Sequence, residues 1–221
     1  MLIFTVQNHT KHFFHKKFTI MKKFFITLTV LFAAALGANA QFSIGAGYLN
    51  RTNKISLEGT SNSYALNGFY AGLDAGYYIG YGVRIAPGIY YSYITGRTVI
   101  PGGKNEGNYY RHELTFPINV RYSLEVSESL DVFAYAGPQF IIGLASSNAM
   151  SNKENSRSGN NFSGNEGEKH FNAGLGFGLG VDIAKSLRIN VGYTIGMLNT
   201  VRSENISSKI NTLQVGLALL F

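Results

Sequence analysis

The sequence contains no cysteine, and it has only four prolines among its 221 residues. Without cysteine, the chain cannot form a disulfide scaffold, a thiolate zinc site or a cysteine nucleophile, and it cannot carry a lipid on an N-terminal cysteine. Charged residues are also scarce at 14% of the chain, whereas about a quarter is usual for soluble domains. These absences exclude a disulfide-rich secreted domain and are unusual for a soluble globular protein.

Glycine and aromatic residues are abundant instead, with 26 Gly, 14 Tyr and 16 Phe. The length suits one all-β domain. The formal net charge of +7 would suggest nucleic-acid binding, but five of the 19 basic residues are lysines within residues 1–40, which contain no acid. Removing those five leaves 14 basic against 12 acidic residues, a net charge of +2. We therefore expect no nucleic-acid partner.

The N-terminal region has the pattern of a secretory signal peptide. The basic start Met21-Lys22-Lys23 is followed by an apolar run over Phe24–Leu36 and a small-x-small end at Ala38-Asn39-Ala40. The apolar run has 13 residues, which is too short for a membrane-spanning helix of about 20 residues. We predict that residues 1–40 are a signal peptide cleaved after Ala40.

The mature domain would then comprise residues 41–221. Met21 is a better start for the signal peptide than Met1. Residues 1–20 are therefore either an extended basic region or the result of a misassigned start, and they are excluded from the fold.

The mature chain contains eight segments in which apolar side chains alternate with small or polar ones. That period of two residues predicts strands with one apolar face. The segments are residues 42–48, 66–79, 83–93, 112–122, 131–144, 171–182, 187–197 and 211–221. Each is about ten residues long, the length with which a tilted strand crosses a bilayer.

The connections between these segments alternate in length. The short ones are 80–82, 125–129 and 184–186, and the long polar ones are 51–65, 95–108, 146–169 and 199–208. Short periplasmic turns and long extracellular loops are typical of outer-membrane barrels. We predict an all-β fold, an eight-stranded antiparallel up-and-down transmembrane β-barrel in the bacterial outer membrane, with both termini in the periplasm.

In a membrane barrel the bulky apolar faces point to lipid and the mixed faces point inward. The predicted inward charges are three acids and three bases: Asp74, Arg84, Glu113, Arg121, Asp182 and Arg188. Eight strands leave an interior just wide enough for side chains, so we predict a plugged barrel. The charges would form an internal ion and hydrogen-bond network or, alternatively, a narrow proton or ion path. The glycines of 171–182 would give room to Phe133 and Tyr135.

Aromatic residues and prolines have characteristic positions in this arrangement. Residues expected in interfacial aromatic girdles are Tyr48, Tyr77, Tyr81, Tyr91, Tyr93, Tyr122 and Phe171. Pro87, Pro117 and Pro138 lie inside predicted strands, where each removes a ladder donor. We expect a bulge or a local gap in the ladder beside at least one of them.

Two stretches resemble known outer-membrane proteins. The alternating C-terminal segment ending at Phe221 resembles the signal by which bacterial outer-membrane barrels are recognised for insertion, which implies the insertion machinery as a partner. The segments Glu113–Tyr122 and Ala134–Pro138 resemble the small outer-membrane β-barrel family of Bacteroidetes, which includes PorT-like proteins and is similar to OmpX-type barrels. The resemblance covers the whole mature chain and implies an architecture rather than an activity.

The sequence predicts no catalytic, cofactor-binding or metal-ligating residue. Only His112 and His170 remain after removal of the leader, both near the predicted extracellular rim, and spacing cannot establish a catalytic triad. We therefore expect a non-enzymatic, monomeric barrel in contact with outer-membrane lipid, with a structural, adhesive or envelope-associated role. A lipid A-modifying enzyme is the alternative. A second alternative is a soluble secreted barrel with the bulky faces inside and an apolar ligand.

Overall fold

Eight antiparallel strands close into a ring in the computed structural model, which describes residues 40–57, 60–99, 106–152, 155–162, 167–202 and 206–221. In chain order, the eight ring strands and the short additional strand β6 are β1 (Ala40–Leu57), β2 (Thr60–Gly80), β3 (Val83–Val99), β4 (Glu106–Ser127), β5 (Leu130–Asn152), β6 (Asn155–Asn160), β7 (Phe171–Ile183), β8 (Leu187–Gly196) and β9 (Ile206–Leu220). Within these ranges the structure contains no helix long and apolar enough to cross a membrane. The predicted signal peptide lies outside the described residues except for Ala40.

Strands that follow each other along the chain lie side by side in the ring, apart from the short β6. The ring is completed where β9 pairs with β1, from Ser43 opposite Leu220 to Leu57 opposite Ile206. Phe42 and Phe221 exchange two backbone hydrogen bonds of 3.1 and 2.9 Å below that ladder. The predicted closed barrel is thus confirmed, and the ring has no open edge where the C-terminal strand meets the first.

Several strands are longer than the sequence predicts. β4 and β5 have 22 and 23 residues, and β1 and β2 run through most of 51–65, which was predicted to be a polar loop. The prediction was wrong because it followed alternating apolar side chains. Above the membrane the outward face of a strand meets water and no longer has to be apolar, so backbone pairing continues without that pattern.

The predicted loop 146–169 is also partly a strand. β5 continues to Asn152 and turns back into β6, which pairs with it from Ser147 opposite Asn160 to Asn152 opposite Asn155. Lower down, β7 takes the place beside β5, from Leu130 opposite Ile183 to Ile142 opposite Phe171. β6 therefore belongs to a hairpin above the ring.

The outward faces carry the bulky apolar side chains. Along β7, Phe177 and Leu179 are 44% and 59% exposed, while Asp182 on the other face is buried. The same division holds along β8 and β9, where Val191, Leu217 and other outward residues are exposed. The predicted face directions are confirmed, and the alternative of a soluble barrel with its bulky faces inside is wrong.

The three strand prolines lie beside gaps in the ladders. Two successive pairs are missing between β2 and β3 beside Pro87, between β3 and β4 beside Pro117, and between β4 and β5 beside Pro138. Proline has no N–H to donate, and the predicted local gap is confirmed at all three interfaces. The register shifts in these ladders lie away from the prolines.

The glycines of β7 allow large rings to fill the interior. A Cβ added to Gly180 would lie 2.2 Å from Phe133 Cζ, and a Cβ on Gly178 would lie 2.6 Å from Tyr135 Cζ. Both distances are far below van der Waals contact, so these rings occupy the space that the missing side chains leave. This confirms the predicted role of the glycine row.

Candidate functional site

The inward side chains near the chain termini form a cluster that we call the terminal-side network: Asp74, Arg121, Asp182 and Arg188. Asp182 and Arg188 are Cα partners on β7 and β8. The Arg188 guanidinium donates to both Asp182 oxygens, from Nε at 2.7 Å and from Nη2 at 2.8 Å. This is a bidentate pair with the geometry of a strong charge-assisted contact.

Asp74 is the less tightly held acid of the terminal-side network. Its Oδ2 accepts a hydrogen bond of 2.5 Å from the Tyr90 hydroxyl. Its Oδ1 lies 3.5 Å from Arg121 Nη2 and 3.6 Å from Arg188 Nη1. These ion-pair distances exceed hydrogen-bond length, so Asp74 is shared between two cations without being tightly bound by either.

The ring of Phe133 lies between the two arginines. Its centroid is 4.8 Å from the Arg121 guanidinium carbon and 5.0 Å from that of Arg188. Both distances are within the range of cation–π attraction. The ring thus separates two like charges inside the barrel and contributes attraction to each.

A cavity of about 70 Å³ lies above the terminal-side network. Its lining residues are mostly polar or aromatic and include Tyr70, Asn119, Tyr135, Gln139 and Asn190. A second cavity of about 10 Å³ lies on the other side of Gln139, where Arg51 and Glu113 also line it. The larger volume suits a few water molecules and the smaller one suits a single water, so the lumen is largely filled by side chains.

A second cluster, the loop-side network, occupies the other end of the barrel: Arg51, Arg111, Glu113 and Glu168. Arg51 Nη1 donates to Glu113 Oε2 at 2.9 Å, and its Nη2 contacts Oε1. Arg111 Nε donates to the same Oε2 at 3.0 Å. Glu113 and Arg111 are each 1% exposed, so two buried cations depend on one buried carboxylate.

The loop-side network is completed by a cap segment, which we define as residues 161–162 and 167–170. Glu168 pairs with Arg111 Nη1 and accepts hydrogen bonds of 3.1 and 3.3 Å from the Tyr109 hydroxyl. Phe162 lies 5.4 Å from the Arg111 guanidinium. The cap segment therefore supplies the second acid, and the network as a whole is neutral.

Backbone and ring contacts fix the cap segment to the barrel wall. Asn161 donates to Ser146 from its backbone N–H at 2.9 Å and from its amide at 3.0 Å. Within the cap segment, Phe162 stacks on His170 with a centroid distance of 4.0 Å. A Cβ on Gly143 would lie 2.5 Å from the Phe162 ring, so glycine at that position admits the ring.

Apolar side chains fill the remaining part of the loop-side end. Leu49, Leu66, Ile94 and Tyr109 form a buried cluster on β1 to β4, with Tyr64 packed against it. Asn53 Nδ2 donates to the Tyr64 hydroxyl at 3.0 Å. Burial raises the pKa of Tyr64, against the lowering effect of the Asn53 hydrogen bond. The hydroxyl therefore stays protonated and the cluster carries no charge.

The predicted inward charges are found inside the barrel. Asp74, Glu113, Arg121, Asp182 and Arg188 are buried. Arg84 is half-buried near the terminal-side opening, where its Nη1 donates to Ser123 Oγ at 3.2 Å. The six residues divide between the two networks and this opening.

The two histidines occupy separate environments. His112 lies on the outward face of β4, with Nδ1 2.5 Å from the Tyr91 hydroxyl and its ring 5.1 Å from Tyr93. Its neighbour Glu113 points inward, so they form no dyad. His170 contacts the Gly143 carbonyl through Nδ1 at 2.9 Å. No cluster of metal-ligating residues occurs in the described part of the chain.

Four residues that complete the interior were missed by sequence reasoning: Arg51, Arg111, Phe162 and Glu168. They lie in segments predicted to be loops, or just before the start of a predicted strand. Arg51 and Arg111 keep the inward parity of their strands, so a longer strand assignment would have found them. The positions of Phe162 and Glu168 depend on the path of the cap segment, and the sequence carries no periodic signal for it.

Comparison with known proteins gives a family and several similar folds. No curated protein matches the chain. Among solved structures, Ail of Yersinia pestis is 12% identical, with a TM-score of 0.43 over 82% of this chain and 99% of Ail. Neisserial surface protein A is 16% identical (TM-score 0.45; 81% and 97% covered). The outer membrane enzyme PagL is 13% identical, with a TM-score of 0.45 over 80% of this chain and 97% of PagL.

The family assignment rests on a family model rather than on these structures. Residues 34–202 match the model described as the outer membrane protein beta-barrel domain. The match covers well over half of the chain and agrees with the closed ring of eight strands and its apolar outer surface. The chain is a member of this outer membrane β-barrel family and is a bacterial outer-membrane protein.

Proposed function

We propose that this protein is a non-enzymatic, monomeric barrel with a plugged interior and an adhesive or structural role in the envelope. One observation carries the proposal: two buried ion networks fill the lumen and leave a cavity of only about 70 Å³ between them. A passage for solutes would require several buried ion pairs to separate at once. The function is then assigned to the outer surface of the barrel.

The part of that surface best suited to an adhesive role is the strand extension beyond the membrane. β4, β5 and the β5–β6 hairpin continue well above the apolar band, opposite the chain termini. With both termini in the periplasm, this extension projects from the cell. The resemblance to the small barrels of Bacteroidetes, including PorT-like proteins, belongs to the same proposal.

Conductance measurements test the plugged interior. The purified protein, inserted into a planar lipid bilayer at neutral pH, should show no stable single-channel steps. An open porin recorded in the same bilayer provides the positive control. Steady conductance of the wild-type barrel would favour the proton or ion path over the internal network.

Adhesion measurements test the role of the extension. Replacing residues 147–160 by a short Gly/Ser turn removes the β5–β6 hairpin and leaves the ring. Bacteria displaying this variant should lose autoaggregation and surface adhesion, while the heat-dependent gel shift of the folded barrel remains. Equal adhesion by the variant and the wild type would count against an adhesive extension.

The enzymatic alternative can be tested separately. His112→Ala and His170→Ala should leave the lipid A of the expressing cells unchanged by mass spectrometry, because the Nδ1 atoms of these histidines contact the Tyr91 hydroxyl and the Gly143 carbonyl rather than an acid or a serine hydroxyl. A modification that depends on either histidine would overturn the non-enzymatic proposal.

The insertion machinery is the proposed partner during assembly. Phe221 is 72% exposed on the lipid side, so it contributes little packing to the finished barrel. Deleting Phe221 should therefore lower the amount of protein inserted in cells much more than its refolding into detergent micelles. Equal losses in both assays would indicate a structural role for this residue instead.

A further inference from the structure

The outward face of the β1–β9 seam carries two lysines directly opposite each other above the lipid band. Lys54 and Lys209 are Cα partners, and both are exposed. The pairs on either side of them are Thr52 with Asn211 and Ser56 with Ser207. We call these six residues the seam face; it has two positive charges, four neutral polar side chains and no acid.

Two like charges at directly opposed positions destabilise a pair of strands. Neither lysine forms an ion pair or a hydrogen bond with another residue in the described ranges. Inside the barrel, by contrast, Arg51 and Arg111 are balanced by Glu113. The seam face therefore has the charge and the donors for an anion that the described residues do not supply.

The seam face lies just above the apolar band of the barrel, at the level of the lipid headgroups. The uppermost apolar outward residue on β9 is Leu213, opposite Asn50 on β1. Lys209 is four residues further along the strand, which is about 10 Å along the membrane normal for a tilted strand. Lysine side chains bend toward the headgroup layer while their stems cover apolar surface, so both amino groups reach the anionic groups of the adjacent leaflet.

We propose that the seam face binds the phosphorylated sugar headgroup of an outer-leaflet glycolipid of the lipid A type. Lys54 and Lys209 hold a phosphate between them, and the hydroxyls of Thr52 and Ser207 bind the sugar or the remaining phosphate oxygens. The location in the outer leaflet rests on the proposed orientation, with the termini in the periplasm. The apolar outward residues directly below the face, including Leu213 and Val215, contact the acyl chains of the same molecule.

The chemistry favours this occupant over a soluble anion. A free phosphate would gain only the two exposed lysines, and exposed ion pairs contribute little. A glycolipid is already concentrated beside the face and adds the burial of its acyl chains. Each lysine near an anionic membrane surface contributes about a fivefold gain in affinity, so the two together contribute about 30-fold.

Purified protein in neutral detergent micelles tests the site without relying on orientation, adhesion or conductance. Bisphosphorylated lipid A is titrated, and bound lipid is counted by native mass spectrometry. The double variant K54Q/K209Q should bind about 30-fold more weakly than the wild type, while K54R/K209R should retain binding. Lys185→Gln, in the exposed turn between β7 and β8, is the matched control and should bind like the wild type.

Two further probes identify the ligand class. Monophosphoryl lipid A should bind more weakly than the bisphosphorylated form, and phosphatidylglycerol should bind more weakly still. Equal, lysine-dependent binding of phosphatidylglycerol would overturn the assignment to a glycolipid. Binding that is unchanged in K54Q/K209Q would overturn the site itself, provided that the heat-dependent gel shift shows both proteins folded.

Discussion

The two ends of the barrel interior both bury arginines and carboxylates, but they hold these groups differently. In the loop-side network, Glu113 accepts hydrogen bonds from Arg51 and Arg111. In the terminal-side network, Asp74 lies 3.5 Å or more from both arginines that share it, and Phe133 occupies the space between them. One end depends on hydrogen-bonded charge pairs, and the other depends largely on ring packing.

The difference shows two ways of filling a narrow polar lumen. A buried ion pair needs close geometry to offset the desolvation of both charges, and the loop-side network has that geometry. The terminal-side network has it only between Arg188 and Asp182. There, Phe133 and Tyr135 fill volume over the glycines of β7, and a cavity remains above them. Substitutions should therefore affect the two ends unequally.

The largest effect is expected from Glu113→Gln. It leaves Arg51 and Arg111 buried with only Glu168 as a counter-charge, and loss of one partner of a buried pair costs about 3–5 kcal/mol. Urea unfolding in lipid vesicles would measure the free energy of unfolding. Glu125→Gln, an exposed change on the same strand, should stay within about 0.5 kcal/mol. A loss below 1 kcal/mol for Glu113→Gln would show that the loop-side network is not the stronger one.

Gly180→Ala tests the ring-packed end. The new methyl group would lie 2.2 Å from Phe133 Cζ, and overpacking of this kind costs about 1–3 kcal/mol. Gly76→Ala is the matched control, because its nearest neighbour, Arg84 Cδ, is 3.4 Å away and at the end of a flexible side chain. The same unfolding assay should separate the two variants, and equal stabilities would contradict the role assigned to the glycine row.

Asp74→Asn sharpens the contrast between the two carboxylates. The change removes the charge shared by Arg121 and Arg188 but keeps an acceptor for the Tyr90 hydroxyl. Because Asp182 still neutralises Arg188, we expect a loss of about 1–3 kcal/mol, less than for Glu113→Gln. The comparison requires both variants to be unfolded in the same vesicles. If Asp74→Asn lowered the free energy of unfolding more than Glu113→Gln does, the terminal-side network would be the more important of the two for stability.

The smallest effect is expected from Glu168→Gln. The Glu168 side chain is 22% exposed, so its pair with Arg111 is partly screened and contributes at most about 1 kcal/mol. The change in the free energy of unfolding should be small, but hydrogen exchange in the cap segment should become clearly faster. Lys169→Gln, the exposed neighbour, should leave exchange unchanged. No difference between these variants would mean that the hydrogen bonds of the cap segment and the packing of Phe162 hold it without Glu168.

The sequence predicts the membrane-embedded part of this fold well, because lipid imposes a strict alternation there. Asp182 and Arg188 were placed on the inward face from parity alone, as were Phe133 and Tyr135 beside the glycines. The closing strand was predicted from the same alternation up to Phe221. Each of these residues lies where one face of the strand must be apolar, so its neighbours reveal its direction.

The prediction fails where that constraint ends. Thr52, Asn53 and Lys54 are all polar although they alternate between the two faces of β1, so nothing in their order indicates a strand. Glu168 and Phe162 enter the interior through tertiary contacts of the cap segment with Arg111. Such contacts depend on the path of the chain rather than on periodicity.

The proline gaps give the wall an uneven stiffness. The missing pairs lie at three successive interfaces, from β2–β3 to β4–β5, and so form a diagonal across one side of the ring. On the opposite side, β5–β7, β7–β8, β8–β9 and β9–β1 keep continuous ladders. Lateral pressure in the bilayer can make the cross-section of the barrel elliptical. The wall then bends along this diagonal, and the half that carries the β1–β9 seam keeps its shape.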